Sequence, residues 1–560
     1  MQSGVLVALN YVAENPTEFV ENFFVKSRKS VEAGSDRAPY AWVIPEDQLR
    51  TVGTRNLIDL LRRQGLEVHR ATDELKWNEG EAEMVEAAGS YVVRLDQPYR
   101  PLALVLLDKQ NFPEGANAPY DDTGWTLPFM HNVTAHKVSD AAILDAGMSL
   151  ITEESVLTQG IIEGNSGVVY AINHTTDDNF ALLRFELPNI SFTAAEHAFE
   201  FDGQSFNAGT YLINEDGNPS GYAERLEQRA SDLGLDVHRL DEVPDVDTHE
   251  VEVPRVGLIH TWTSTPQDAG WWRLAFDRIG IPYTYLSEQD LGTKDLRDFD
   301  VLIMPLNRSS PQQLVAGNSR IGEPTPWMPS DEYPSIGHID QTTDTRTGMG
   351  YEGVSALKKF VEAGGLFITE GRSAAFPIDM ALTRRVSIKR TTNLQARGAV
   401  ARTVVADSLS PIIYGYGKEL PAYFSQSPVF QINEGLGGAT TPDWYKTALW
   451  EAEVPRVVMR FAKKDVNMSG MLIGESELAN TPSVVDVPVG KGHVILFAVR
   501  PFRRWNTQGS HALVFNAMLH WNDLRTGWPS RPDPNADDKS TGPILNEMEA
   551  TQLHGHATQN

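Results

Sequence analysis

The sequence predicts a multi-domain α/β protein: two related small α/β modules followed by a larger parallel-sheet domain. Three observations lead there. A phrase of helix, glycine and apolar strand occurs at NLIDLLRRQGLEVHRA (56–71), YAERLEQRASDLGLDVHRL (222–240) and WWRLAFDRIGIPYTYL (271–286). A longer similarity joins LKWNEGEAEMVEAAGSYVVRLDQP (75–98) to FEFDGQSFNAGTYLINEDGNP (199–219). Beyond residue 251 short apolar strands alternate with helical stretches, and 560 residues exceed what one core supports.

The first segment, 1–38, holds a helix over 17–33 whose apolar face is Phe19, Phe23, Phe24 and Val31, and it reads as the tail of a preceding domain. Module one, 39–150, opens with the strand YAWVIP and a helix for which Gly65 takes the C′ position; Gly234 and Gly280 take the same role later. The recurring phrase predicts parallel sheets with crossover helices. Module two is 151–250. In both modules two large apolar residues alternate, a turn follows, and Ala-Gly-Ser or Ala-Gly-Thr leads into a strand. Leu102–Leu107 reads as a short strand. The Pro/Gly/Asp-rich stretch NFPEGANAPYDDTGWTLPFMHNV (111–133) is long enough to predict a functional or packing role. The acidic stretch 241–254 reads as a linker. Domain 251–525 carries the strands VGLIHTW, YTYL, DVLIMP, GLFITEG and HVILFAV with the helices ALKKFVEAGG and HALVFNAMLHW, and 526–560 reads as a disordered tail.

Composition removes several functions. A formal charge of −27 argues against nucleic acid, which needs clustered Lys and Arg. The absence of cysteine excludes disulfides, iron–sulfur clusters and cysteine nucleophiles. No apolar run is long enough to span a membrane, and the N-terminus has no basic stretch of the kind that opens a signal peptide.

Three groups of residues carry possible chemistry. His197 and Glu200 have zinc-ligand spacing, but Phe199 and Phe201 set a period of two that puts the pair on opposite faces of a strand, so no metal site is predicted. Ser373, in Gly371-Arg-Ser-Ala-Ala375 directly after a strand, approximates a nucleophile elbow, with His511 the nearest late candidate base; ordinary turn residues at a strand end explain the same letters. Polar residues also collect after the parallel strands. His260 and Trp262, Asn307, Glu370 and Arg372, and Arg503 are candidate ligand-binding residues, with Thr261, Arg308 and Arg500 beside them, because open α/β sheets bind ligands outside the carboxyl ends of their strands. Ion pairs closing the sheet edge explain the same residues. The late histidines in HGHAT read as solvated.

Several phrases resemble the region that follows the catalytic domain in large bacterial zinc carboxypeptidase-like proteins, the carboxypeptidase A-type metallopeptidase family. They include LLRRQGLEVHRAT, AGSYVVRLDQPYRPLALVLLDKQNFP, APYDDTGWTLPFM, RVGLIHTWTSTPQDAGWWRLAFDRIGIPYTYL, ALKKFVEAGGLFITEG and GKGHVILFAVRPFRRW. The resemblance runs from about residue 10 to about 525, and within it 250–525 looks like the class I glutamine amidotransferase-like (flavodoxin-like) fold. It implies an exported protein, periplasmic or extracellular, in a family that hydrolyses C-terminal amino acids with zinc. Neither the zinc ligands and general base of that family nor the cysteine of the amidotransferases can be placed on this chain. The expectation is a non-catalytic accessory region without a cofactor of its own, whose partners are a peptide or a separate catalytic domain. The alternatives are a serine-type hydrolase using Ser373 and a peptide- or glycan-binding module. The sequence leaves the oligomeric state open.

Overall fold

The computed structural model describes residues 2–113, 115–117, 119–165, 167–264, 267–433 and 454–527. The expected disordered tail lies outside them from residue 528, as do both histidines of HGHAT.

The two small modules share one topology. In the first, the sheet runs His136–Val138, Ala41–Ile44, Tyr91–Arg94, His69–Ala71, Met148–Leu150, and every neighbouring pair is antiparallel. In the second, Val237–Leu240, Val169–Ile172, Tyr211–Asn214, Thr193–Ala195 and Thr248–Glu250 repeat that order, with Ile162–Glu163 added in parallel at one edge. The matching sequence stretches form matching hairpins, Leu75–Glu79 with Ala82–Glu86 and Phe199–Phe201 with Gln204–Phe206.

The expectation of parallel sheets with crossover helices is corrected for both modules. Tyr91–Arg94 inserts between Ala41–Ile44 and His69–Ala71 and runs antiparallel to both, so the crossover is split. The shared glycine phrase specifies how a helix ends, and it does not choose the strand's neighbour. Gly65, Gly234 and Gly280 all have positive φ, and the next residue's amide donates back into the last turn: Leu66 to Leu61 O, Leu235 to Ala230 O and Ile281 to Phe276 O. Two further expectations change. Leu102–Leu107 belongs to a helix, Arg100–Leu107, started by Pro101 in its first turn; a short apolar run fits either element. The presumed linker 241–254 contributes the edge strand Thr248–Glu250 and buries Val251.

The third domain begins with five parallel strands in the order Thr284–Ser287, Val256–His260, Val301–Met304, Leu366–Glu370, Gly492–Phe497. Numbered along the chain this is 2-1-3-4-5, the flavodoxin-like doubly wound order. The sheet continues antiparallel through Pro482–Val489, Arg456–Phe461, Ala399–Val405 and Glu419–Phe424. One apolar core runs from Ile172 to Leu524 and unites module two with this domain, whereas module one packs two clusters of its own.

Two helices, Gln2–Glu14 and Pro16–Asp36, precede module one. No residue of the first is buried, and Phe19, Phe23 and Phe24 of the second are exposed. The second helix is held near its end, where Gly34 lies so close to the backbone of Leu95 that a Cβ would overlap it.

Two features lock the parts together. Arg50, 1% exposed, lies between Asp177 and Asp178 at 3.9 Å each and donates to the carbonyls of His131 and Thr176. Asp177 of module two accepts the amides of Val52 and Gly53, capping the helix Thr51–Arg63 of module one. His511 of the third domain pairs with Asp178 at 3.1 Å. The second lock is the Pro/Gly/Asp-rich stretch, whose expected packing role takes a definite form. Residues 108–113 and 119–126 leave module one and lie along the third domain as a strap. Gln110 N donates to Ser469 Oγ, Gly470 N to Gln110 O, Thr123 Oγ1 to Arg397 O and Gly124 N to Gly398 O. Gly124 permits this approach, since a Cβ there would press on the backbone of Ser469 and Val400.

Candidate functional site

The third domain's parallel strands all end at one edge of the sheet, and the loops after them supply the polar side chains. A cavity of about 280 Å³ opens there, lined by Gln267, Asp268, Leu306, Arg308, Arg372, Ser425, Gln426, Arg500 and Arg503. Four guanidiniums face one lining carboxylate, in a chain whose net charge is −27.

The arginines differ in what holds them. Arg500 is buried and pairs with Asp268 and, at 3.4 Å, with Glu370. Burial, followed by the neighbouring charge of Arg503, lowers Arg500 to about 9, which leaves it protonated at neutral pH. Arg503 donates to Asp122 at 3.0 Å and lies 3.7 Å from Asp268, while its Nε is buried without a hydrogen-bond partner among the described residues. Asp122 arrives on the strap, where it also accepts from the hydroxyl of Tyr423 and pairs with Arg504 at 3.2 Å; Asp121 takes Arg504 at 2.8 Å. The ring of Tyr423 lies beneath Arg500 and Arg503, 5.8 and 6.0 Å from their guanidinium carbons. Arg308 and Arg372 are exposed, and among the described residues neither guanidinium meets a carboxylate.

Glu370 is the floor of this arrangement. It is 0% exposed, accepts the Trp272 indole N–H at 2.6 Å and the Leu306 amide at 3.3 Å, and touches Arg500. Burial pushes its carboxyl up to about 7, against the Trp272 indole, the Leu306 amide and the charge of Arg503.

The sequence-derived candidates therefore separate. Arg372 and Arg503 line the cavity and Glu370 lies under it. Asn307 instead turns to Ser373, donating from its backbone N at 3.0 Å and from Nδ2 at 2.8 Å. His260 and Trp262 form a distinct aromatic group, in which His260 Nε2 meets Asp340 at 2.6 Å, stacks on Tyr285 at 4.5 Å and lies edge-on to Trp262. Sequence reasoning missed Asp268 and Asp122. The run of two aspartates in YDDTGW was the available signal, but nothing in it names partners 381 residues away.

Ser373 is 2% exposed, and its hydroxyl donates to Pro305 O at 2.7 Å while accepting from Asn307. No histidine is among its hydrogen-bond partners, and His511 is engaged with Asp178. The strained turn after the strand is present, but the residue with positive φ there is Gly371, at 56°, which has no side chain to act as a nucleophile. His197 and Glu200 are both exposed on and beside the short hairpin, where Phe199 stacks on Phe206 at 4.9 Å. Among the described residues no group of three or more His, Asp or Glu side chains is placed to hold a metal ion, and no helix is long and apolar enough to cross a membrane.

No protein-family model matches this chain, and no curated protein does. Solved structures match at low similarity. A β-galactosidase from Bacillus circulans sp. alkalophilus shares 11% identity at a TM-score of 0.27, over 48% of this chain and 31% of that one. PurLQS from Thermotoga maritima shares 14% at 0.27, over 48% and 98%. A ThuA-like protein from Bacteroides uniformis shares 11% at 0.28, over 50% and 95%. The chain thus spans 31–36% of the length of the first β-galactosidases it matches.

Proposed function

We propose that this chain is a non-catalytic α/β accessory region of a zinc carboxypeptidase-like protein, and that its third domain binds an anionic group, such as a peptide carboxylate, at the strand ends. The observation that carries the binding role is the cavity in which four arginines face one aspartate, two of them without a carboxylate partner among the described residues. Guanidinium forks match carboxylate and phosphate geometry, and partial exclusion of water strengthens such charge-assisted bonds. The resemblance of the long sequence phrases supports the family reading.

The binding role is tested by calorimetric titration of the full chain with short peptides bearing a free C-terminal carboxylate and with their amides. Binding of the free acids, weakened at least tenfold in the Arg308→Gln/Arg372→Gln variant, is expected. No binding by any free acid refutes the reading. Zinc-dependent release of C-terminal amino acids by the purified chain would overturn its non-catalytic half.

A further inference from the structure

Building on that anion-binding reading, we infer that the ligand of the strand-end cavity is a compact dianion, with two negative charges close enough to meet Arg308 and Arg372 together. Most of the charges around the cavity are paired. Arg500 is matched by Asp268, and beneath it lies Glu370, whose carboxyl burial pushes toward its neutral form. Arg503 and Arg504 are matched by Asp122 and Asp121. What remains are the guanidiniums of Arg308 and Arg372, on the loops after adjacent parallel strands, Val301–Met304 and Leu366–Glu370. A ligand with one negative charge leaves one of them unmatched, whereas a ligand with two completes the set. The cavity, about 280 Å³, lies at the small end of ligand sites, roughly 300–1,000 Å³, so both charges must come from a short ligand or from the terminal residue of a longer one. The dicarboxylate end of a peptide terminating in glutamate or aspartate and a phosphate monoester share this chemistry.

The floor of the site fits the same conclusion. Arg500 is held between Asp268 and Glu370 and cannot swing out without breaking both pairs, and Arg503 is tethered to the strap through Asp122. The two exposed arginines are the ends that a ligand orders.

The test is calorimetric titration of the full chain with N-acetyl-glutamate, with N-acetyl-glutamine and with inorganic phosphate. The two amino acid derivatives are nearly isosteric and differ by one charge. N-acetyl-glutamate is expected to bind at least tenfold more tightly than N-acetyl-glutamine, and the ratio should fall below about threefold in Arg308→Gln and in Arg372→Gln, the loss expected for one charge-assisted contact. Among the described residues neither guanidinium has a partner to lose, so both variants should keep the wild-type melting temperature. Phosphate that competes with N-acetyl-glutamate supports the dianion and points to a phosphoryl source. Phosphate that fails to compete points to a dicarboxylate. Equal affinity for the two derivatives overturns the dianion inference while the anion pocket stands, and absence of binding by all three probes overturns both.

Discussion

Replacing Asp177 tests whether module two fixes the start of a helix in module one. Its carboxylate accepts the amides of Gly53 at 2.7 Å and Val52 at 3.2 Å, takes the Thr175 hydroxyl at 3.0 Å and lies 3.9 Å from Arg50. Asp177→Ala removes the cap and so strands two buried amides at about 1–3 kcal/mol each, moderated by any water that enters. Arg50 keeps Asp178 and two carbonyls, so its burial adds less than the roughly 3–5 kcal/mol of a fully orphaned charge. The expected total is about 4 kcal/mol. Burial pushes the Asp177 carboxyl up against the pull of Arg50 and the Gly53 amide, so the neutral Asp177→Asn, which retains an acceptor, should cost only about 1–2 kcal/mol. Because a chain of several domains need not unfold in one step, native-state hydrogen exchange at Val52 and Gly53 is the assay. The Ala variant should speed exchange there about a thousandfold, and Asn about tenfold, from roughly 1.4 kcal/mol per decade. Exchange unchanged in Ala, or faster in Asn than in Ala, would refute the cross-module cap.

Three further outcomes follow from particular contacts. Glu370 has a folded-state value near 7 against an ordinary 4.5, so the stability it contributes is complete below pH 4.5 and lost as pH rises through 7. About 2.5 pH units at about 1.4 kcal/mol each come to roughly 3 kcal/mol, by which Glu370→Gln should gain on wild type between pH 4.5 and 8 in parallel urea titrations; a flat difference would show that Arg500 keeps the carboxylate ionised throughout. Gly371→Ala should destabilise the third domain by about 1–3 kcal/mol, measured as a lowered melting temperature, because its φ is 56° and a Cβ would press on Leu306. Gly34→Ala should release the helix Pro16–Asp36 from Leu95 and speed limited proteolysis before residue 39 without shifting the main melting transition.

The fold was legible where burial alone writes the pattern. VLIM, LFITE and HVILF are strands covered on both faces, so continuous apolar runs identify them and the helices between them imply parallel pairing. Strand direction in the small modules was not legible, because Tyr91–Arg94 enters between its neighbours from 20 residues further along and leaves no mark on either. The internal repeat was visible because Leu75 and Trp77 in one hairpin and Phe199 and Phe201 in the other alternate on one apolar face. At the site, the arginines were found by their position after strands. Glu370 was found the same way, but Asp268 and Asp122 were not, since Asp122 reaches the arginines through the strap. His260 was placed correctly at a strand end yet is claimed by Asp340 from a loop 80 residues away, which no local pattern announces.

The core that runs unbroken from Ile172 to Leu524 has a practical consequence for dividing this protein. Its sequence invites a cut near residue 250, between a repeated module and a doubly wound domain. Such a cut would divide one interior, with Phe180, Tyr211, Leu226 and Val237 on one fragment and Leu258, Trp272 and Phe276 on the other. The smallest piece that can be grafted, expressed or shuffled as a self-sufficient unit therefore begins before Val169, and the boundary that repetition draws along the chain is not one along which the molecule comes apart.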